Sequence, residues 1–133
     1  QFFKDLVHAI AVSSKDFILL AHVAYKYNEQ DMVMDARIPV KGALAKAGLE
    51  ASFTTILGAD RIKLEDLEKY PNALLNITDE EREDGFKYVL QTRPLKNAVN
   101  SNVKTPQKMF ARNEAFIDSD MSVVMRRAHD FYA

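Results

Sequence analysis

The residues of this chain best placed for chemistry are one histidine at the end of an apolar run and two groups of cations in polar stretches. His22 closes the run Phe17-Ile18-Leu19-Leu20-Ala21 and is followed by Val23. A continuous apolar run this short reads as a strand buried on both faces, as in parallel sheets. Ligands of open α/β sheets collect beyond the carboxyl ends of such strands. An imidazole there can contact a phosphate, take a proton or bind a metal, and it can equally be a hydrogen-bonded structural residue. His8 and His129 fall on helical patterns and have no spacing that pairs them with other ligands, so no metal site is expected.

The cations point toward anions. Lys41 precedes Gly42 at the start of a predicted short helix over 42–47, and a helix N-terminus beside a lysine suits a phosphate. A surface lysine and a turn glycine read equally well. Arg93, Lys96, Lys104 and Lys108 make a second polar stretch net basic, with hydrogen-bonding side chains at Asn97, Asn100, Ser101 and Asn102. Such a loop can follow a phosphate backbone, although Phe110 is the only aromatic residue near it for base stacking. An ordinary solvated loop has the same composition. The chain contains no Gly-x-x-x-x-Gly-Lys-Ser/Thr phosphate loop, no Gly-x-Ser-x-Gly elbow and no paired-carboxylate signature.

The elements expected to carry these residues begin with an amphipathic helix over 1–12, from the spacing of Phe2, Phe3, Leu6, Val7 and Ile10. The strand Phe17–Val23 follows, and then a long polar loop over 24–41. A second strand is expected at Ser52–Leu57, with a break at Gly58-Ala59-Asp60 and a resumption over Arg61–Leu64. Thr78-Asp79-Glu80-Glu81 matches a capping box. Phe86–Thr92 reads as a third strand, residues 93–107 as a loop, and 119–132 as a helix capped by Asp118 or Ser119. Helix–turn–strand order is half of an α/β unit. The expected fold is a single α/β domain over 1–133, with a small, mainly parallel or mixed sheet flanked by helices.

Composition limits the function classes. The 133 residues suffice for one domain, with 47% hydrophobic and 28% charged residues. The 18 basic and 19 acidic residues nearly cancel, leaving a net charge of −1, so a nucleic-acid site must be a local patch. Absence of cysteine excludes disulfides and thiolate metal sites. No apolar stretch approaches the ~20 residues of a membrane span, and a cytoplasmic protein is expected. The chain opens on Gln1 with helical periodicity already under way, which reads as a chain cut or processed within a larger protein, or as one whose first residues are missing.

Several segments together resemble a known family. They are Leu19-Leu20-Ala21-His22-Val23, Lys41-Gly42-Ala43-Leu44, Phe53-Thr54-Thr55-Ile56 and Gly85-Phe86-Lys87-Tyr88-Val89-Leu90-Gln91-Thr92-Arg93. Val103-Lys104-Thr105-Pro106, Met109-Phe110 and Asn113-Glu114-Ala115-Phe116-Ile117-Asp118-Ser119-Asp120 complete the set. This order resembles the C-terminal half of phage-type RecA-like P-loop ATPases associated with single-strand DNA annealing and recombination. The resemblance spans most of the chain. It implies that His22 senses nucleotide state and that the loop Ala24–Val40, with Lys26, Tyr27, Asn28 and Arg37, contacts single-stranded DNA. Lys41, Arg93 and Lys104 would contact nucleotide or phosphate. It further implies ATP and Mg in a longer chain, a homo-oligomer, and a bacterial host cytoplasm. The family's phosphate loop and acidic metal-binding strand would both lie before Gln1, so residues 1–133 alone imply no autonomous ATPase. The rival expectation is a non-catalytic α/β interaction or assembly module. A small-molecule enzyme using His22 as base is a third, with no second catalytic group in view.

Overall fold

The computed structural model describes residues 2–13, 16–22, 24–28, 33–37, 53–96 and 103–133. The chain groups into two compact units, Gln1–Thr54 and Thr55–Ala133.

In the first unit, α1 runs over Phe2–Val12 as its periodicity predicts, with Leu6, Val7 and Ile10 half-buried. The Ser13 N–H donates to the Ile10 carbonyl at 3.1 Å and closes the last turn. Residues 17–22 of the expected buried strand Phe17–Val23 have no regular secondary structure, and Leu20 is 88% exposed. A run of consecutive apolar residues carries no period, so its composition alone does not decide which of its sides, if any, is buried. Val23 lies outside the described residues. The polar stretch expected as a loop instead holds an antiparallel hairpin of β1 (Ala24–Asn28) and β2 (Val33–Arg37), with Tyr25 opposite Ala36 and Tyr27 opposite Met34. Its Tyr-Lys-Tyr-Asn letters alternate with the strand period, a signal masked by their overall polarity. The helix expected over 42–47 lies outside the described residues.

The second unit is built on a three-stranded antiparallel sheet of order β3-β4-β5: β3 (Gly58–Lys63), β4 (Phe86–Gln91) and β5 (Phe116–Asp118). Strands and helices are both present, as an α/β reading requires. Both described sheets are antiparallel, which corrects the expected parallel character. β4 begins where the sequence places it. Gly58-Ala59-Asp60 is not a break but the start of β3, while the preceding Ile56 makes only an isolated bridge to Lys104.

Between β3 and β4 lie two short helices, α2 (Leu64–Leu67) and α3 (Asp79–Asp84). The capping box of α3 is formed in both directions. Thr78 Oγ1 accepts from the Glu81 N–H at 3.2 Å, and Glu81 Oε1 accepts from the Thr78 N–H at 3.0 Å. Gly85 ends α3 at φ 80°, and its N–H donates to the Glu81 carbonyl. After β4, a 3₁₀ turn at Arg112–Glu114 leads into β5, and α4 (Met121–Tyr132) closes the chain. Its cap is Asp120, not Asp118 or Ser119: the Asp120 carboxylate accepts from the Ser122 N–H at 2.9 Å.

Strand alternation sends Lys87, Val89 and Gln91 to one face of the sheet and Phe86, Tyr88 and Leu90 to the other. On the first face, Leu67, Val89, Ala115 and Phe116 form a buried cluster, and Tyr70 meets Phe116 edge-on with ring centroids 5.4 Å apart. On the second, Leu90, Ile117, Met109, Phe110 and Val124 of α4 form another. Each fully buried aliphatic side chain contributes about 1.5–3 kcal/mol of burial. Asn72 ties the loops below β5, its amide Nδ2 lying 2.9 Å from the Asn113 carbonyl and 3.0 Å from those of Tyr70 and Phe116.

Gly85 generates a prediction. A Cβ there meets nothing within 4 Å, so only the left-handed backbone resists a side chain. Gly85→Ala should destabilise the protein by about 1 kcal/mol, and Gly85→Asn by less, in urea-melt midpoints. Equal stability of all three would show that the α3 stop tolerates any residue.

Candidate functional site

The expected site residues fall into two sets. His22 lies in the exposed, irregular segment of the first unit. Lys26, Tyr27, Asn28 and Arg37 lie on the β1–β2 hairpin backbone and not on a loop. Lys41 lies outside the described residues. Arg93 and Lys104 belong to the second unit, and there the structure brings their segments together.

That junction is assembled from the end of β4. Thr92 is fully buried; its N–H donates to the Ala115 carbonyl at 2.9 Å, and its hydroxyl donates to the Glu114 carbonyl at 2.6 Å. The Thr92 carbonyl in turn accepts from Thr105 Oγ1 at 3.0 Å. Gln91, also buried, donates from Nε2 to the Arg93 carbonyl at 2.7 Å. Lys104 is held from its other side by two backbone bonds to Ile56, of 2.7 and 3.0 Å. Arg93 and Lys104 therefore flank the bonded pair Thr92–Thr105, with backbones held by buried polar groups and side chains half-exposed. Neither has a carboxylate partner among the described residues. Two cations without counter-ions on a constrained backbone can neutralise an anion at little ordering cost.

Two ion clusters fasten the elements of this unit, and the first adjoins the junction through Glu114. Glu114 receives Arg127 of α4 as a bidentate pair at 2.8 and 2.9 Å and also accepts from the Ala111 N–H at 2.8 Å. The guanidinium bonds the Met109 carbonyl at 3.0 Å and lies 5.2 Å from the Phe110 ring centroid. The hydrogen bond from Arg127 holds the Glu114 carboxyl below its ordinary pKa, against the opposing effect of burial. The second cluster centres on Lys87, which is 8% exposed. Its ammonium reaches Glu81 Oε2 at 2.9 Å and Asp118 Oδ1 at 3.3 Å. Burial opposes the Lys87 charge, but the two carboxylates outweigh it and raise its pKa above the ordinary lysine value. Glu81 is lowered, first by the Thr78 N–H and also by Lys87.

These clusters are structural in their chemistry: each charge is satisfied by partners that link elements. Among the described residues, no group of three or more acidic or histidine side chains could hold a metal ion, and every buried side-chain nitrogen or oxygen has a partner. Among them, too, no helix is long and apolar enough to cross a membrane. Lys87, Thr92 and Thr105 are positioning residues that are not among the candidates expected from the sequence. Lys87 had a readable signal, a lysine on the same strand face as Val89, whereas the threonine pair had none because its partners are 13 residues apart. No protein family, curated protein or solved structure matches this chain.

The sign of each shift sets the pH dependence. Glu81 and Glu114 have lowered folded-state pKa values, so their stabilisation is present above the unfolded carboxylate value of about 4.3 and is lost as pH falls through the folded one. Lys87 has a raised value, so its stabilisation is complete below about pH 10.4 and is lost as pH rises through the higher folded value. Lys87→Met should cost about 2 kcal/mol at neutral pH, and Glu114→Gln should flatten the acid limb of a stability–pH profile. An unaltered acid limb in Glu114→Gln would remove the Arg127 pair as its source.

Proposed function

We propose that this chain is the C-terminal portion of a phage-type RecA-like nucleotide-binding ATPase that acts on DNA, with Arg93 and Lys104 as its phosphate contacts. The observation that carries the reading is the Thr92–Thr105 hydrogen bond, which sets two half-exposed cations without carboxylate partners on adjoining, anchored segments. Arginine and lysine in such a setting suit phosphate oxygens, arginine as a fork and lysine as a point charge. The segments quoted for the resemblance supply further support, since β4, the Met109-Phe110 pair and β5 are the core of the unit that carries both cations. Hydrolysis requires a phosphate loop and an acidic metal-binding strand, which residues 1–133 do not contain. In this reading ATP and Mg are bound by the longer protein, and His22 couples nucleotide state to single-stranded DNA.

A second reading, a non-catalytic interaction or assembly module, rests on one observation. Phe17, Ile18, Leu19 and Leu20 are exposed in a row in the first unit, and adjacent apolar side chains of this kind pair with a partner or a second copy. Its signature is a concentration-dependent mass in sedimentation.

The test of the first reading is ATP hydrolysis by the full-length protein with and without single-stranded DNA. Arg93→Ala combined with Lys104→Ala should reduce the DNA-stimulated rate at least tenfold, about the effect of losing one or two charge-assisted phosphate contacts. His22→Ala should bring the stimulated and unstimulated rates together. Full stimulated activity in the double variant would overturn the phosphate role, and absence of hydrolysis in the full-length protein would favour the assembly module.

A further inference from the structure

The uncovered end of the second sheet face has no part in the junction above. Arg61 of β3 pairs directly with Tyr88 of β4, and Lys63 pairs with Phe86, so these four side chains share one face. α4 and Met109 cover that face over Leu90 and Ile117, but Tyr88 remains 63% exposed. The Arg61 guanidinium lies 4.9 Å from the Phe86 ring centroid, and the Phe86 and Tyr88 rings meet at 89° with centroids 5.8 Å apart. Arg61 and Lys63 have no carboxylate partner among the described residues. The β3–β4 residues of this face are Ala59, Arg61, Lys63, Phe86, Tyr88 and Leu90, so every formal charge they bring is positive. The acidic Asp60 belongs to the opposite face by alternation.

We propose that this face is a stacking platform for single-stranded nucleic acid. An unpaired base lies on the exposed Tyr88 ring, and Arg61 and Lys63 neutralise the flanking phosphates. Single strands are bound by such a combination, aromatic rings that accept the π-face of any base beside cations that follow the backbone. A duplex keeps its bases stacked on one another and cannot use the ring. Arg61 is preorganised by its contact with Phe86, so its position depends on a cation–π contact and not on a counter-ion that the nucleic acid must displace. An acidic protein segment would satisfy the cations but would leave the ring without a flat partner. The platform lies at the opposite end of β4 from Arg93 and requires no nucleotide, so it names a nucleic-acid contact that stands independently of the ATPase reading.

The test is fluorescence anisotropy of a labelled short oligothymidylate titrated with the full chain at several salt concentrations. Wild type should bind the single strand more tightly than a duplex of the same length. Tyr88→Ala should weaken binding about tenfold, and Tyr88→Phe, which keeps the ring, should retain wild-type affinity. Arg61→Ala should weaken binding and lower the salt slope by about one. Circular dichroism and thermal melts of each variant separate lost binding from lost folding, and the exposure of Tyr88 predicts unaltered melts. The platform is overturned if wild type does not bind the oligonucleotide, if Tyr88→Ala binds as wild type does, or if Tyr88→Phe loses as much as Tyr88→Ala. None of these outcomes alters the ATP-hydrolysis test of Arg93 and Lys104, so the two readings fail separately.

Discussion

The architecture of the second unit depends on satisfying one lysine ammonium inside the sheet. Lys87 sits on the face of β4 that also presents Val89, where an unpaired charge would be costly to desolvate. Glu81 reaches it from the first turn of α3, and Asp118 reaches it from β5. The same Glu81 closes the capping box on Thr78, and the same Asp118 accepts from the backbone and side chain of Asn76. One ammonium therefore connects a helix start, the central strand, an edge strand and the loop between α2 and α3. Sliding β4 by one residue would turn Lys87 away from the face on which Glu81 and Asp118 meet it and exchange the faces of Val89 and Leu90, so the charge also specifies the register.

With the register set, both faces of the sheet acquire their contents. β4 is the central strand, and the residues opposite it on β5 extend the alternation: Phe116 and Asp118 on one side, Ile117 on the other. Arg127 and Glu114 then fasten α4 to the turn before β5, and Glu114 passes that constraint to Thr92 through its carbonyl. The half-exposed cations Arg93 and Lys104 are thus at the end of a chain of buried hydrogen bonds. The Arg61–Phe86–Tyr88 array is different in kind. It stands on a strand pair but has no cover, because α4 reaches only the β5 side of the face.

The chain is nearly neutral, yet its electrostatics are sorted locally. The acidic α3 provides the counter-ion to Lys87, Glu114 neutralises Arg127, and the cations without carboxylate partners lie elsewhere. Net charge therefore says little about binding here, and the distribution of unpaired cations says more.

Legibility in the sequence followed the range of the interactions. The capping box of Thr78 and Glu81, strand β4 and helices α1 and α4 were readable because their determinants lie within one turn or one strand alternation. Arg93 and Lys104 were readable as basic residues in a polar stretch, but not as neighbours. Strand direction, the displacement of a strand to Gly58–Lys63 and the exposure of Phe17–Leu20 were not readable, since each depends on partners far along the chain. Asn72 bonds carbonyls 41 and 44 residues away, and Asn76 bonds a carboxylate 42 residues away. What the sequence determined by itself was where backbone conformation is locally favoured and which residues carry charge. Tertiary structure alone decided which of those charges are neutralised inside and which are left to meet a ligand, because desolvation and Coulomb energy depend on distances that only the folded chain sets.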